Sequence, residues 1–292
     1  MHILAHERIN ALPLWRHRIS ISPLSGGRTN LNFMVEDGCE NFVVRLGEDI
    51  PAHHVLRFNE LAASRAAFEA GISPEVVYAE NGLSVMRYIH SHTLSESDIA
   101  KPQYLPRVVE LMRRCHQEMP QYLRGPALMF WVFHVIRDYA ATLVERGSPY
   151  ATKMPEYLKI AESLEAAIGP ITPVFGHNDM MAANILDDGA RLWLIDWDYA
   201  GYNSPLFDLG GLAGNNQLSQ AQEAAMLELY FQTPPDAALL ARYNAMKCAS
   251  LMREVMWSMV SELISGLDID YASYTAENIA RFEQAHANLK QG

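Results

Sequence analysis

The chain has 292 residues, 49% hydrophobic and 20% charged, enough for one large or two moderate globular domains with a sizeable core. A formal net charge of −11 argues against a basic nucleic-acid-binding surface and is compatible with a cationic small-molecule partner. The cysteines, Cys39, Cys115 and Cys248, are widely spaced and form no CxxC pair, which argues against a disulfide framework or structural zinc site and fits a reducing cytoplasm.

The opening stretch "MHILAHERINALPLWRHRIS" breaks its apolar residues with charges every few positions, unlike a secretory leader. β-type segments follow: "RISISPL", "LNFMV", "NFVVRL" and "EVVYAENGLSVMRYI", the last with Asn81-Gly82 as a hairpin turn. One helix interrupts them. "HVLRFNELAASRAAFEAG" carries Val55, Phe58, Leu61, Ala62 and Phe68 at helical spacing and stops at Gly71, with Pro74 beyond.

From about residue 90 the pattern is helical, with helices predicted near 104–118, 127–146, 155–168, 217–232, 236–265 and 275–289. The exception is "ILDDGARLWLID", two short apolar runs around an Asp-Gly turn, hence a small hairpin. "RVVELMRRCHQ" reads as an amphipathic scaffold helix, and "PALMFWVFHVI" is too short to span a bilayer, so no stable membrane insertion is expected. The expectation is an α+β chain with a β-rich lobe over 1–89, a helical lobe over 90–292 and a cleft between them.

Residues 177–184 read His-Asn-Asp-x-x-x-x-Asn, and Asp196 follows Asn184 by 12 residues across the predicted hairpin. That order and spacing is the one phosphoryl-transfer catalytic loops use for a base, a metal-binding amide and a metal-binding carboxylate. The hairpin can bring Asn184 and Asp196 together as hard oxygen ligands for Mg²⁺, with ATP phosphates and water completing the shell. Asp179 is then free to accept a substrate hydroxyl proton, and His177 reads as a loop-holding residue. In isolation, either segment also reads as a helix cap or a strand running into an acidic turn. His53-His54 and His90-Ser91-His92 have no carboxylate or cysteine cluster around them and read as solvated or hinge histidines.

On a helical wheel at about 100° per residue, Leu251, Met252, Val255, Met256, Met259, Val260 and Leu263 share one half. Trp257 falls opposite, with Arg253, Glu254 and Ser261. A tryptophan there is either covered by a second packing layer or lines a pocket.

Taken together, "LSGGRTNLNF", "VVRLG", "FGHNDMMAANIL", "LIDWDYAGYNSPLFDLG" and "LMREVMWS" resemble the choline/ethanolamine kinase branch of the aminoglycoside phosphotransferase-like kinases. The resemblance implies a two-lobed protein-kinase-like fold that moves the γ-phosphate of ATP to the hydroxyl of a small amino alcohol. The first lobe would bind the nucleotide and the second would carry catalysis and the acceptor. It implies Asp179 as catalytic base, Asn184 and Asp196 as Mg²⁺ ligands, and Asp198 as the second acid of an "IDxE"-like segment. For the nucleotide it implies Arg45 paired with Glu60, a loop from Ser25 to Asn30 over the phosphates, and a hinge of Arg87, Tyr88 and Ile89, with Leu186 and Ile195 against adenine. For the acceptor it implies an aromatic wall from Trp257, Tyr199 and Tyr202 in a cation–π arrangement. Two departures bear on the acceptor: Glu254 stands where choline kinases commonly have a second tryptophan, and Met181 replaces a polar loop residue. Choline and ethanolamine both remain open, as do acceptors such as an aminoglycoside or thiamine, and a non-catalytic nucleotide-binding role.

Overall fold

The computed structural model describes residues 2–24, 30–266 and 269–291. Helix α1 (His2–Asn10) precedes strands β1 (Ser20–Leu24), β2 (Leu31–Asp37) and β3 (Glu40–Leu46); helix α2 (Arg57–Glu69) then leads to β4 (Val76–Glu80) and β5 (Leu83–Arg87). The five strands form one antiparallel sheet in the order β1-β2-β3-β5-β4. Alternation decides its buried face: Phe33, Val35, Phe42, Val44, Leu83 and Val85 point one way and are buried, with Phe33 opposite Val44 and Val44 opposite Val85. Ala5 and Ile9 of α1 close that core. The N-terminal stretch, assigned no element from sequence, is therefore the lid of the first lobe.

Helix α2 differs from its sequence reading. Phe58 and Phe68 of the apolar stripe are exposed, whereas Ala63, Ala66 and Ala67 are buried in the core of the second lobe. Small side chains let the helix backbone approach closely, so α2 is the joint between lobes and not a cover for the sheet.

After the short β6 (His92–Thr93) and α3 (Glu96–Ile99), the second lobe contains α4 (Leu105–Glu118), α5 (Val132–Glu145) and α6 (Met154–Ile168). Its small strands are β7 (Val174–Gly176), β8 (Ile185–Asp187), β9 (Leu192–Leu194) and β10 (Gly201–Asn203); its later helices are α7 (Pro205–Asn215), α8 (Gln220–Phe231), α9 (Ala237–Ile264) and α10 (Tyr271–Gln291). The predicted hairpin is β8–β9, extended by β6 into a three-stranded sheet, while β7 pairs with β10. Helix α7 escaped the sequence reading because Gly210-Gly211 interrupts its pattern. A Cβ at Gly210 would lie 2.8 Å from Lys247 Cα, so glycine there permits the close crossing of α7 and α9.

Helix α9 is the axis of the second lobe, packed against α5, α6, α7 and α10. Its polar side is covered as well: Arg253, Trp257, Ser258 and Ser261 are buried beside its apolar residues. No helix among the described residues is long and apolar enough to cross a membrane.

Candidate active site

The chain leaves β7 at Gly176 and re-enters a strand at Ile185, and the loop between them is tied down from both sides. Asp208, at the start of α7, accepts hydrogen bonds from the His177 N–H (2.8 Å) and the Asn178 N–H (2.7 Å). A Cβ at Gly176 would come within 2.9 Å of Asp208 Oδ2, so the strand must end in glycine for that carboxylate to reach the loop. His116 of α4 reaches the same carboxylate at 2.9 Å and Tyr230 Oη at 2.6 Å. Burial would raise the Asp208 pKa, but the hydrogen bond from His116 and the loop N–H donors hold it below the usual carboxylate range.

Asn178 adopts a left-handed backbone (φ 63°), and its side-chain amide donates to Tyr199 O (2.9 Å) and Gly201 O (3.0 Å). It thereby locks the loop to the segment after Asp196. His177 donates from Nε2 to Ile195 O (2.9 Å) and accepts at Nδ1 from the Asp179 N–H (3.3 Å). Burial lowers its pKa, in keeping with a neutral imidazole that donates on one nitrogen and accepts on the other. The structure thus gives His177 a holding position.

Asp179 and Asn184 lie side by side: Asn184 Nδ2 donates to Asp179 O (2.9 Å) and Asp179 Oδ2 (3.2 Å). The Ile195 N–H donates to Asn184 O at 3.0 Å, which sets Asp196 beside Asn184 at the base of the hairpin. Asp196 is itself left-handed (φ 69°), an unfavourable backbone for an aspartate that persists where surrounding contacts impose it. With Asn184 Nδ2 committed to Asp179, the amide presents Oδ1 on its other side. That oxygen and the half-exposed Asp196 carboxylate are hard oxygen donors, the kind that Mg²⁺ takes. No cluster of three or more His, Cys, Asp or Glu capable of holding a metal occurs among the described residues.

Asp179 keeps 19% side-chain exposure, enough for a reactant to touch it. Burial pushes its carboxyl up to about 7; the Arg253 guanidinium 3.9 Å away draws it down, and Glu254 and Asp196 push it up.

Above this loop, Arg45 of β3 ties the lobes together. Its Nη2 lies 2.7 Å from Asp196 Oδ1 and 3.0 Å from Asp198 Oδ1, and its Nε lies 3.1 Å from Glu60 Oε1. Burial opposes the Arg45 charge, but these carboxylates hold its pKa well above the ordinary value. The expected Arg45–Glu60 pair is present, and two acids of the second lobe join it. Burial raises the Glu60 pKa against the pull of Arg45. Arg57, which sequence reasoning passed over, donates from Nη1 to both Glu60 Oε2 (2.6 Å) and Asp198 Oδ1 (2.8 Å).

The adenine-side expectations fare unevenly. The N–H groups of Arg87 and Tyr88 are committed to Glu75 O (2.9 Å) and Asn41 O (3.0 Å), and the exposed Arg87 side chain pairs with Glu40 and Glu75. Neither N–H is free to meet a base at the expected hinge. Leu186 and Ile195 are half-buried, Asn30 is buried, and Ser25 lies outside the described residues.

On the acceptor side, Trp257 Nε1 donates to Tyr199 Oη at 2.7 Å, so two expected wall residues meet. Tyr271 and Tyr274 of α10 sit 6.1 and 6.4 Å from the Trp257 ring, and His53 stacks on it at 5.0 Å. The Trp257 alternatives are therefore both realised: it is covered by a second layer, and it borders a cavity of about 580 Å³ with Leu31, Leu46, His53, Ile264 and Tyr271. Glu254 is bound by Arg253 Nη1 (2.8 Å) and Tyr274 Oη (2.6 Å), and the Arg253 guanidinium lies 5.0 Å from the Tyr199 ring centroid. Tyr202 packs edge-on against Phe175 in the β7–β10 pair. One expectation is corrected. His53 is buried, not solvated, and hydrogen-bonds Ser261 Oγ at 3.0 Å, while His90 and His92 are exposed as expected.

Sequence reasoning also missed Asp208, Arg253 and Tyr274. Asp208 and Arg253 lie inside segments already singled out, "LIDWDYAGYNSPLFDLG" and "LMREVMWS", but a side chain that acts by bonding backbone has no spacing signature of its own.

A sheet-rich lobe, a helical lobe and a His-led loop facing an acidic hairpin together define a two-lobed, protein-kinase-like phosphotransferase fold. A family model described as choline/ethanolamine kinase matches residues 21–213, and the chain belongs to that family. Among curated relatives, protein LicA of Haemophilus influenzae is 29% identical over 74% of this chain and 64% of its own length. A probable ethanolamine kinase of Arabidopsis thaliana is 24% identical over 87% of this chain and 76% of its own length. The crystal structure of a choline/ethanolamine kinase family protein from Mesorhizobium loti superposes with a TM-score of 0.80 at 26% identity, covering 100% of this chain and 99% of that one.

Proposed function

We propose that this chain is an ATP- and Mg²⁺-dependent kinase that phosphorylates the hydroxyl of a small amino alcohol, choline or ethanolamine. The observation that carries the reading is the hydrogen-bonded pair of Asp179 and Asn184, joined through Ile195 to Asp196 and lying one contact from Arg253 and the aromatic wall. A phosphoryl transition state of loose bonding asks for alignment and charge neutralisation more than for a strong base. In this reading Asp179 accepts the hydroxyl proton, and Asn184 holds the Asp179 carboxylate in place. Asn184 and Asp196 would hold Mg²⁺, which supplies neutralisation of phosphate charge when bound. Arg45 serves the ATP phosphates and Glu60 fixes it.

The acceptor-side charges support a cationic substrate. Arg253 balances Glu254, and Asp179, its carboxyl pushed up to about 7, adds negative charge as it ionises, in a site lined by Trp257, Tyr199 and Tyr274. An ammonium group neutralises that charge and lies favourably against aromatic faces. The name of the Arabidopsis relative is in keeping with ethanolamine. The widely spaced cysteines, with no CxxC pair, support a cytoplasmic enzyme. The test is ADP formation with Mg²⁺ across ethanolamine, choline, thiamine and an aminoglycoside. Turnover with an amino alcohol is expected; turnover confined to the other acceptors redirects the substrate assignment, and none with any acceptor refutes the kinase reading.

A further inference from the structure

Arg57 occupies an unusual place for a residue at the first position of a helix. Its backbone N–H donates to Asp49 Oδ1 (2.7 Å) and its Nε to Glu48 O (2.9 Å), so the stem is pinned to the turn after β3. Its Nη1 then bridges two carboxylates from different lobes, Glu60 of α2 at 2.6 Å and Asp198 of the second lobe at 2.8 Å. The side chain is only 14% exposed and Asp198 only 4%, so water screens this contact weakly.

Charge balance shows why one arginine is not enough. Among the described residues, Glu60, Asp196 and Asp198 bring three negative charges to a space where, without Arg57, Arg45 would provide one positive charge, and Arg45 Nη2 is already divided between Asp196 and Asp198. With Arg57 present, Asp198 Oδ1 receives two guanidinium groups, and each oxygen of Glu60 faces a guanidinium of its own. The planar, forked guanidinium meets Glu48 O, Glu60 and Asp198 at once; a lysine ammonium has no such reach.

We propose that Arg57 is a positioning residue of the nucleotide site: it clamps α2 to Asp198 across the lobes and shares with Arg45 the neutralisation of Asp198 and Glu60, so that Arg45 does not carry that task by itself when nucleotide phosphates bind. The nucleotide part rests on the kinase reading above; the clamp does not. The clamp also explains the placement of α2, whose alanine face packs on the second lobe directly behind this contact.

Two measurements separate a clamp from a direct nucleotide contact. In nucleotide-free protein, Arg57→Ala should speed amide hydrogen exchange in residues 196–200 and in the first turn of α2, with the α9 core unchanged. For nucleotide, calorimetric affinity for Mg·ADP should fall by about tenfold or more in Arg57→Ala but by less than about threefold when the same change is made in Asp198→Asn, because the charge Arg57 neutralises is then gone. Equal losses in both backgrounds would overturn the proposal in favour of direct contact. Unchanged exchange in 196–200 would overturn the clamp. Should Arg57→Ala not fold, Arg57→Gln carries the same cycle, with the charge removed and a polar side chain kept. A wild-type protein that binds no Mg·ADP defeats the nucleotide reading, and the exchange experiment still decides the clamp.

Discussion

Asp179 and Trp257 are linked through two residues, Arg253 and Tyr199, yet the regions around them are built by opposite means. The loop from His177 to Asn184 is held through its backbone: its N–H groups go to Asp208 and His177, and its side chains reach carbonyls at 179, 195, 199 and 201. The wall around Trp257 is held through side chains alone, from the turn at Pro51–His53, from α9 and from α10. A region fixed by backbone resists drift in geometry whatever its neighbours become. A region fixed by side chains can change ligand by single substitutions. In the proposed reading, the reaction is thus specified more rigidly than the acceptor.

That contrast predicts a wide difference in mutational effect. Asp179→Ala should lower turnover by about 10³-fold, the scale of a positioned base, and Asp196→Ala should be comparably severe; melting temperatures near wild type would show that the fold persists. Residual rates within tenfold of wild type in either would contradict the assigned roles. Asp208→Asn touches no reactant, but it removes the charge that gathers two loop N–H groups and His116. It should cost about 2–4 kcal/mol of stability from charge-assisted bonds lost and reduce kcat with little change in nucleotide affinity. Denaturant unfolding and steady-state kinetics on one preparation check both.

On the wall the effects should be smaller and fall on KM. Trp257→Leu keeps much of the volume, removes the aromatic face and the bond to Tyr199, and should raise acceptor KM by roughly 3- to 30-fold, the range of a cation–π contact of about 0.5–2 kcal/mol. An unchanged KM with lowered stability would return Trp257 to a purely packing role.

The same contrast explains what the sequence could reveal. The β-rich and helical lobes were legible because alternation and 3.6-residue periodicity are local, and the approach of Asp179, Asn184 and Asp196 to one another was legible because the chain that joins them is short. α1 and α7 were not, the first for want of periodicity against its charges and the second because of Gly210-Gly211. Arg57, Asp208, Arg253 and Tyr274 were missed for one reason: each acts on a partner distant in the chain, Arg57 across 141 residues to Asp198 and Arg253 across 75 to Asn178. Arg57 had a faint signal, its i,i+3 spacing from Glu60, which reads equally as a surface ion pair. Phe58 and Phe68 show the opposite error, since periodicity named the larger residues and packing used the alanines.

The smallest predicted effect is on the wall's response to acid. His53 is buried between Trp257 and Tyr139, and burial, with Arg253 and His54 nearby, lowers its pKa from 6.5 to about 3. The folded protein therefore keeps the ring neutral across the interval in which the unfolded chain takes up a proton. Stability associated with His53 is present above about pH 6.5 and declines as pH falls from there toward 3. His53→Gln preserves a hydrogen-bonding group opposite Ser261 but cannot titrate, so its melting temperature should fall less steeply than wild type between pH 7 and 5, even if it starts lower. The charges that act on His53 lie on α9 and the adjoining turn, namely Arg253 and His54, and His54 itself pairs with Asp138 of α5 at 2.9 Å. Parallel pH profiles for wild type and His53→Gln would mean that His54 or the carboxylates set the acid limit, and that the wall is less dependent on a neutral His53 than its stacking on Trp257 implies.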